Sequence, residues 1–318
     1  MDKVYNIINI DDSLVSRKYD WFIHAQNIEK RSKSVPSMLG NYCKCISCEY
    51  DNFFGIEGVH EKEVNSFRSQ NLPGLMHACG NPNEIIGQLL TYVSEFKGQK
   101  VAFDMTGFPI PEIYRVTKLL LQSDISQLDI YYTEPLHYQF NSGMYDKYHY
   151  QDISGMAFRP CKPIKGFFRS GQNRDEQIVI QIGFDGGLAS SVYEQLAADS
   201  PEFKEVFIIN GMPSYTAKLK DVSLLNNYNP IDEIGIDNII SSSASNPFLN
   251  YNTLVDIYGN KRDKTFTICS IGSKPMALGA CLFALDYEKG VKIVYPYYTK
   301  TKFDLNEKPG QVWRYEIV

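Results

Sequence analysis

No stretch of this 318-residue chain reaches about 18 consecutive apolar residues, the length a membrane-crossing helix needs. The opening residues, Met1 to Asn6, contain no apolar run of the kind that forms a secretory leader. Neither sign of charge dominates: 32 Lys and Arg face 37 Asp and Glu, a net charge of −5. A broad basic face for binding nucleic-acid polymers is therefore not expected, because that mode works by displacing counterions from phosphates. Tryptophan is scarce, at 2 residues, yet aromatics reach 13% because there are 22 Tyr and 18 Phe. The Gly–Lys–Ser/Thr order of a P-loop is missing, and so is the Gly-x-Gly-x-x-Gly dinucleotide fingerprint. Walker-type ATP hydrolysis and ordinary dinucleotide dehydrogenation lose support accordingly.

The 7 cysteines are an odd number, and with no leader they read as reduced thiols of a cytoplasmic protein. Four lie early in the chain, at Cys43, Cys45, Cys48 and Cys79, the last beside His77. These are ligand types that zinc accepts, but the spacing is not that of paired Cys-x-x-Cys hooks. Small apolar fillers along a strand or helix fit the run equally well. No metal and no cofactor is assigned.

The chain is long enough for two cores. Asn81-Pro82-Asn83 starts a helix over Glu84–Phe96, with Ile85, Ile86, Leu89, Leu90 and Val93 at helical spacing. Lys100–Asp104 reads as a buried strand, Pro111–Gln122 as a helix, and Leu128–Thr133 as the returning strand. Strand, crossover helix and strand make a parallel, right-handed unit. The order recurs near the end, with strand Thr265–Cys269, turn Ser270–Pro275, helix Met276–Leu285 and strand Val291–Tyr295. Gly107 then aligns with Gly272 and Ile130 with Ile293, a weak internal pseudo-repeat. Strand Ile178–Ile182, turn Gly183–Gly187, helix Leu188–Ala198 and strand Glu205–Asn210 form a third unit. Its expected counterpart is strand Tyr5–Ile10, a turn, and a helix running to about Ile28.

The expected fold is therefore α/β: two Rossmann-like lobes with mostly parallel sheets and crossover helices. The lobes are expected at 1–155 and 175–318, joined by a Pro-, Gly- and Arg-rich linker at 156–174. The tail from Gly310 to Val318 alternates apolar and polar residues and reads as a final antiparallel edge strand. Two stretches, Lys30–Cys79 and Pro213–Phe248, carry no clear periodicity, and loops of such length are often functional.

In open parallel sheets, ligands bind at the carboxyl ends of strands where the strand order switches. Three turns hold such positions and supply the candidate binding residues: Asp104, Thr106 and Gly107; Asp185, Gly186 and Gly187; and Ser270, Gly272, Ser273 and Lys274. Free N–H groups at helix N-termini attract phosphate, and Lys274 would add a cation. The turn Ser270–Lys274 is the best anion site among them. Backbone geometry and ordinary helix capping explain the same Gly, Ser and Asp residues without a ligand. No catalytic residue is assigned. His24, His60, His137 and His149 have no nucleophile near them in sequence, and Glu134 ends a strand where it could meet a ribose hydroxyl. Tyrosines near the turns (Tyr131, Tyr132, Tyr138, Tyr145, Tyr148, Tyr150, Tyr295, Tyr297 and Tyr298) could stack a base or fill a core layer.

Phe184-Asp185-Gly186-Gly187-Leu188-Ala189-Ser190-Ser191 resembles the Ser-Gly-Gly-x-Asp-Ser loop of the PP-loop ATP pyrophosphatases, over about eight residues. Asp185 stands where that family has Ser, and Ala189 where it has Asp. In plan, the two Gly/Ser-turned lobes are similar to the nucleotide-sensing CARF and SAVED domains of prokaryotic antiviral systems. That likeness implies a nucleotide- or phosphate-binding regulatory or sensor protein in a defence assembly, with a protein partner or homo-oligomer. Two alternatives stand beside it: an enzyme of nucleotidyl-transfer, hydrolase or PP-loop-like type using Asp104, Asp185 and Lys274, and a structural subunit whose Tyr-rich surfaces are interfaces.

Overall fold

The computed structural model describes residues 6–10, 17–26, 29–50, 74–136, 160–168, 176–199, 205–211, 217–259, 265–297 and 308–317. The chain divides into two compact units, one of Met1–Gln139 with Phe303–Val318, the other of Phe140–Lys302.

The first unit is built on seven strands: β1 (Asn6–Ile10), β2 (Tyr19–Ala25), β3 (Tyr42–Tyr50), β4 (Leu75–Gly80), β5 (Lys100–Asp104), β6 (Gln127–Pro135) and the late strand β13 (Pro309–Glu316). Its helices are α1 (Ser34–Met38), α2 (Pro82–Leu90), α3 (Val93–Phe96) and α4 (Ile110–Leu121). The spatial order is β1-β13-β6-β5-β2-β3-β4. Strands β6, β5, β2, β3 and β4 run parallel, and β13 lies antiparallel between β1 and β6. Counting the parallel strands in chain order from β2, the sequence across the sheet is 3-2-1-4-5, and it reverses between β2 and β5. Tyr19, Trp21, Phe22, Ile23 and Ala25 are all buried. A strand covered on both faces buries every residue, which erases the period of two. That is why the expected helix over this stretch is instead β2. Helix α2 starts as the sequence indicates: Asn81 accepts from the N–H groups of Asn83 and Glu84, and the Glu84 side chain accepts from Asn81 N–H in a capping box.

The second unit carries six strands: β7 (Cys161–Pro163), β8 (Glu176–Ile182), β9 (Glu205–Gly211), β10 (Ile239–Ser242), β11 (Thr265–Ser270) and β12 (Val291–Pro296). Helices α5 (Gly186–Asp199), α6 (Ala217–Asn226), α7 (Tyr228–Ile234), α8 (Pro247–Tyr258) and α9 (Lys274–Asp286) connect them. The order is β10-β9-β8-β11-β12-β7, parallel throughout except for β7. From β8 this is again 3-2-1-4-5, with an antiparallel strand outside the fifth. The pseudo-repeat therefore pairs like positions, since β5-α4-β6 and β11-α9-β12 are strands four and five of their own sheets.

Two boundaries differ from expectation. The tail does not join the lobe at 175–318: β13 pairs with β6 and β1 inside the first sheet, burying Val312 and Tyr315. It is an interior strand, not an edge. Residues 161–163 are not linker, because β7 pairs with β12. The N–H of Cys161 is also held by the Gln195 side chain at 2.6 Å.

Candidate functional site

The turn after β8 and the turn after β11 meet at the reversal point of the second sheet. The Ile271 N–H donates to the Gln181 carbonyl at 3.0 Å. A Cβ on Gly183 would lie 2.8 Å from the Ile271 carbonyl oxygen, and one on Gly272 would lie 2.8 Å from that of Ile182. Both positions thus require glycine for close backbone approach. The loop after β10 arrives at the same place. Ser273 Oγ donates to the Ala244 carbonyl at 2.5 Å, and a Cβ on Gly211, at the end of β9, would sit 3.0 Å from Ala244 Cβ. The Ser-rich segment thus packs against the β11 turn and the end of β9. Ser243 Oγ accepts from the Ser245 and Asn246 N–H groups, and Asn246 caps α8.

At this reversal point the expected residues have unequal parts. Ser270 is buried and its hydroxyl donates to Gln181 Oε1 at 2.6 Å, so it braces two strands. Ser273 is the N-cap of α9 and accepts from Met276 N–H at 3.3 Å. Pro275 has no N–H, so an anion here would be held by the N–H groups of the turn itself and by Lys274. Asp185 caps α5, accepting from Leu188 N–H at 2.9 Å. A carboxylate thus already occupies the positive end of that helix. Gly186 is pressed against the Asn226 carbonyl, leaving no room for a Cβ. Asn226, Asn227 and Ser223 donate to the carbonyls of Phe184 and Gly183 at 2.8–2.9 Å. Ala189 is buried in the contact between α5 and the sheet. In the second unit, Gly272, Ser273 and Lys274 lie on the turn into α9 at the reversal point, while Ser270 and Gly186 are buried in the packing around it.

Asp104, Thr106 and Gly107 belong to the other sheet, at its own reversal point between β2 and β5. A Cβ on Gly107 would collide with the Ala25 carbonyl. Asp104 Oδ1 accepts from Thr106 N–H at 3.0 Å, and Thr106 Oγ1 accepts from Thr133 N–H at 2.9 Å. The backbone register sets Asp104, His24, Ser47 and His77 side by side across β5, β2, β3 and β4. Paired residues in parallel strands share a face, so this is one polar row. Its upper edge is a hydrogen-bonded chain. Gln26 Nε2 donates to Ser47 Oγ at 3.0 Å and to Glu49 Oε1 at 3.1 Å, and that same carboxylate oxygen lies 2.5 Å from His77 Nδ1. Burial drives His24 to about 4, so its ring is neutral at physiological pH. Glu112, buried at the start of α4, is raised by burial to about 7, a shift that Arg115 limits.

Gln26, Ser47 and Glu49 are isolated along the chain and carry no sequence signal; only strand pairing assembles them with His77, which the sequence offers as a possible metal ligand beside Cys79. Cys43 is exposed, whereas Cys45 and Cys48 are buried on β3. Three positions apart on one strand, the two buried thiols face opposite sides. Among the described residues no group of three or more His, Cys, Asp or Glu is placed to hold a metal ion. Tyr131, Tyr132 and Tyr295 are buried. Glu134 receives the Trp313 indole N–H at 3.1 Å. His60, His137, His149, Tyr138, Tyr145, Tyr148, Tyr150 and Tyr298 lie outside the described residues. A cavity of about 420 Å³ opens at the amino ends of β2 and β3, lined by Asp20, Trp21, Cys43, Lys44, Glu95 and Lys97 among others. There Lys44 pairs with Glu95 at 2.6 Å and lies over the Trp21 ring.

No protein-family model matches the chain, and no curated protein matches it. Solved structures give faint likenesses. A universal stress protein from Archaeoglobus fulgidus DSM 4304 shares 13% identity, with 91% of this chain and 100% of that chain covered and a TM-score of 0.25. A protein described as a universal stress protein from Pseudomonas aeruginosa UCBPP-PA14 shares 10%, with 87% and 93% covered and a TM-score of 0.27. A protein of unknown function from Pseudomonas aeruginosa PAO1 shares 8%, with 90% and 94% covered and a TM-score of 0.26. Scores this low carry no functional argument; the α/β class rests on the strand order itself. Among the described residues no helix is long and apolar enough to cross a membrane.

Proposed function

We propose that the chain is a regulatory or sensor protein that binds a small phosphorylated ligand, of nucleotide type, in the crevice of the second unit. The observation that carries this reading is the meeting of the β8 and β11 turns at the strand-order reversal, where glycines allow close backbone approach and Lys274 stands on the first turn of α9. The Ser243–Asn246 loop closes the crevice from the β10 side and offers hydroxyls to a ribose. Asp185 is engaged as a helix cap, so nothing at this site favours a nucleotidyl-transfer mechanism through it. Membership of a defence assembly and pairing with a partner or second copy belong to the same reading.

Titration with a panel of linear and cyclic nucleotides, followed by thermal unfolding, tests the proposal. A bound ligand stabilises the native state by about 2.7 kcal/mol at one hundred times its Kd. Lys274→Ala is expected to lower affinity roughly tenfold through loss of one charged contact. A panel with no active member, or an unaffected Lys274→Ala variant, overturns the reading.

A further inference from the structure

The polar row of the first unit is built differently from the phosphate crevice. It carries two buried carboxylates, Glu49 and Asp104. Glu49 is buried, and one of its carboxylate oxygens takes bonds from both Gln26 and His77. Asp104 is buried at the carboxyl end of β5, beside His24 in register. The row's other end meets Thr133, near which Arg31 is tied to Glu29 at 2.8 Å. Gln26 is more than nine-tenths buried. Both its amide hydrogens are committed to Ser47 and Glu49, yet its Oε1 has no hydrogen-bond partner among the described residues. An amide oxygen left unsatisfied out of water costs free energy that a donor from outside would recover. His77 is the partly exposed member of the chain and marks the side from which such a donor reaches the row.

The sign of charge then selects the class of ligand. Carboxylates in a low-dielectric pocket repel a phosphate and attract a cation. An ammonium brings up to three N–H donors and a positive charge, matching an orphaned amide oxygen beside Glu49 in a row that also carries Asp104. We propose that the carboxyl ends of β2, β3 and β5 form a second ligand site, which takes a small organic cation through its ammonium group against Gln26 Oε1, Glu49 and Asp104. It uses no residue of the phosphate crevice.

The test uses the full chain and three probes: putrescine, 1,4-butanediol as its uncharged counterpart of equal chain length, and inorganic phosphate. Ring signals of His77, assigned by their loss in His77→Gln, report locally on the site by NMR. Putrescine is expected to shift them saturably and to raise Tm, while butanediol and phosphate leave them in place. Glu49→Gln is expected to weaken putrescine binding about tenfold or more, as for loss of a charged hydrogen bond. Should Glu49→Gln fail to fold, Asp104→Asn serves for the same comparison. Lys274→Ala is expected to bind putrescine like the wild type, which separates this site from the phosphate crevice. Unmoved His77 signals with putrescine, an equal response to butanediol or phosphate, or unchanged affinity in both carboxylate variants would each overturn the proposal.

Discussion

At the scale of single residues, buried ionisable groups set how stability responds to pH. Glu112 is buried near Tyr50, whose own ionisation is held far above normal by burial with Glu112 adding to it, and Arg115 lies 3.9 Å away. Its carboxyl is raised from 4.5 to about 7, mainly by loss of solvent. Between those values the native state holds a proton that the unfolded state has released. Stability contributed by the neutral acid is therefore fully present at low pH and is lost as pH rises from about 4.5 through about 7. Glu112→Gln, which mimics the neutral acid, is expected to flatten that part of the profile and to be more stable than wild type at pH 8. The gain should be on the order of 1–3 kcal/mol after the Arg115 contact is discounted. Urea midpoints of both proteins at several pH values check it, and parallel profiles for the two would contradict it. His24 has the opposite slope: its ring is lowered to about 4, so acidification through the range from 6.5 to about 4 removes stability.

At the scale of elements, the reversal points are held by backbone approach rather than by long side chains. Gly107 packs against the Ala25 carbonyl in the first sheet, and Gly183 against the Ile271 carbonyl in the second. Gly107→Ala is expected to cost about 1–3 kcal/mol, because the clash is with backbone and not with a pliable side chain. Gly87, inside α2, faces open space: a Cβ added there would meet nothing within 4 Å. Gly87→Ala should therefore stabilise by about 0.5–1 kcal/mol through helix propensity. Chemical denaturation of the two variants gives opposite signs if the packing is as described. Elements with a strong local pattern were legible from sequence. Lys100–Asp104 is a strand to the residue, and Asn81 starts α2 as expected, although the helix expected to run to Phe96 breaks after Leu90 into α2 and α3. Strand β2 was not legible, since burial on both faces removes the alternation that identifies a strand. Helices α6 and α7 and strand β10, in the polar stretch before Phe248, were hidden by weak amphipathicity.

At the scale of the whole molecule, the first unit is discontinuous in sequence. Strand β13 supplies Val312 and Tyr315 to its core and covers β6 on one side and β1 on the other. Around it, Asp129 accepts from Tyr19 at 2.5 Å and from Arg17 at 3.0 Å, and Arg17 also pairs with Glu316 on β13 at 2.5 Å. A fragment of residues 1–139 therefore loses an interior strand and part of a buried ionic network, and is expected not to fold. Addition of a peptide spanning 303–318 should restore dispersed amide signals. The fragment 140–302 retains every strand of the second sheet and is expected to fold alone. Far-UV circular dichroism and heteronuclear NMR of the three samples decide the matter, and a folded 1–139 fragment would refute the account of β13.

The sequence by itself determined the α/β class, most crossover helices, the three glycine-bearing turns and the likeness between the two halves, because hydropathy period and turn chemistry are local. Tertiary structure alone decided which turns share a site. Parallel strands adjacent in space lie far apart in the chain, so Ser243 and Ala244 reach the β11 turn only through sheet order. Likewise Gln26, Glu49, His77 and Asp104 become neighbours only through strand register. Nothing local encodes that register.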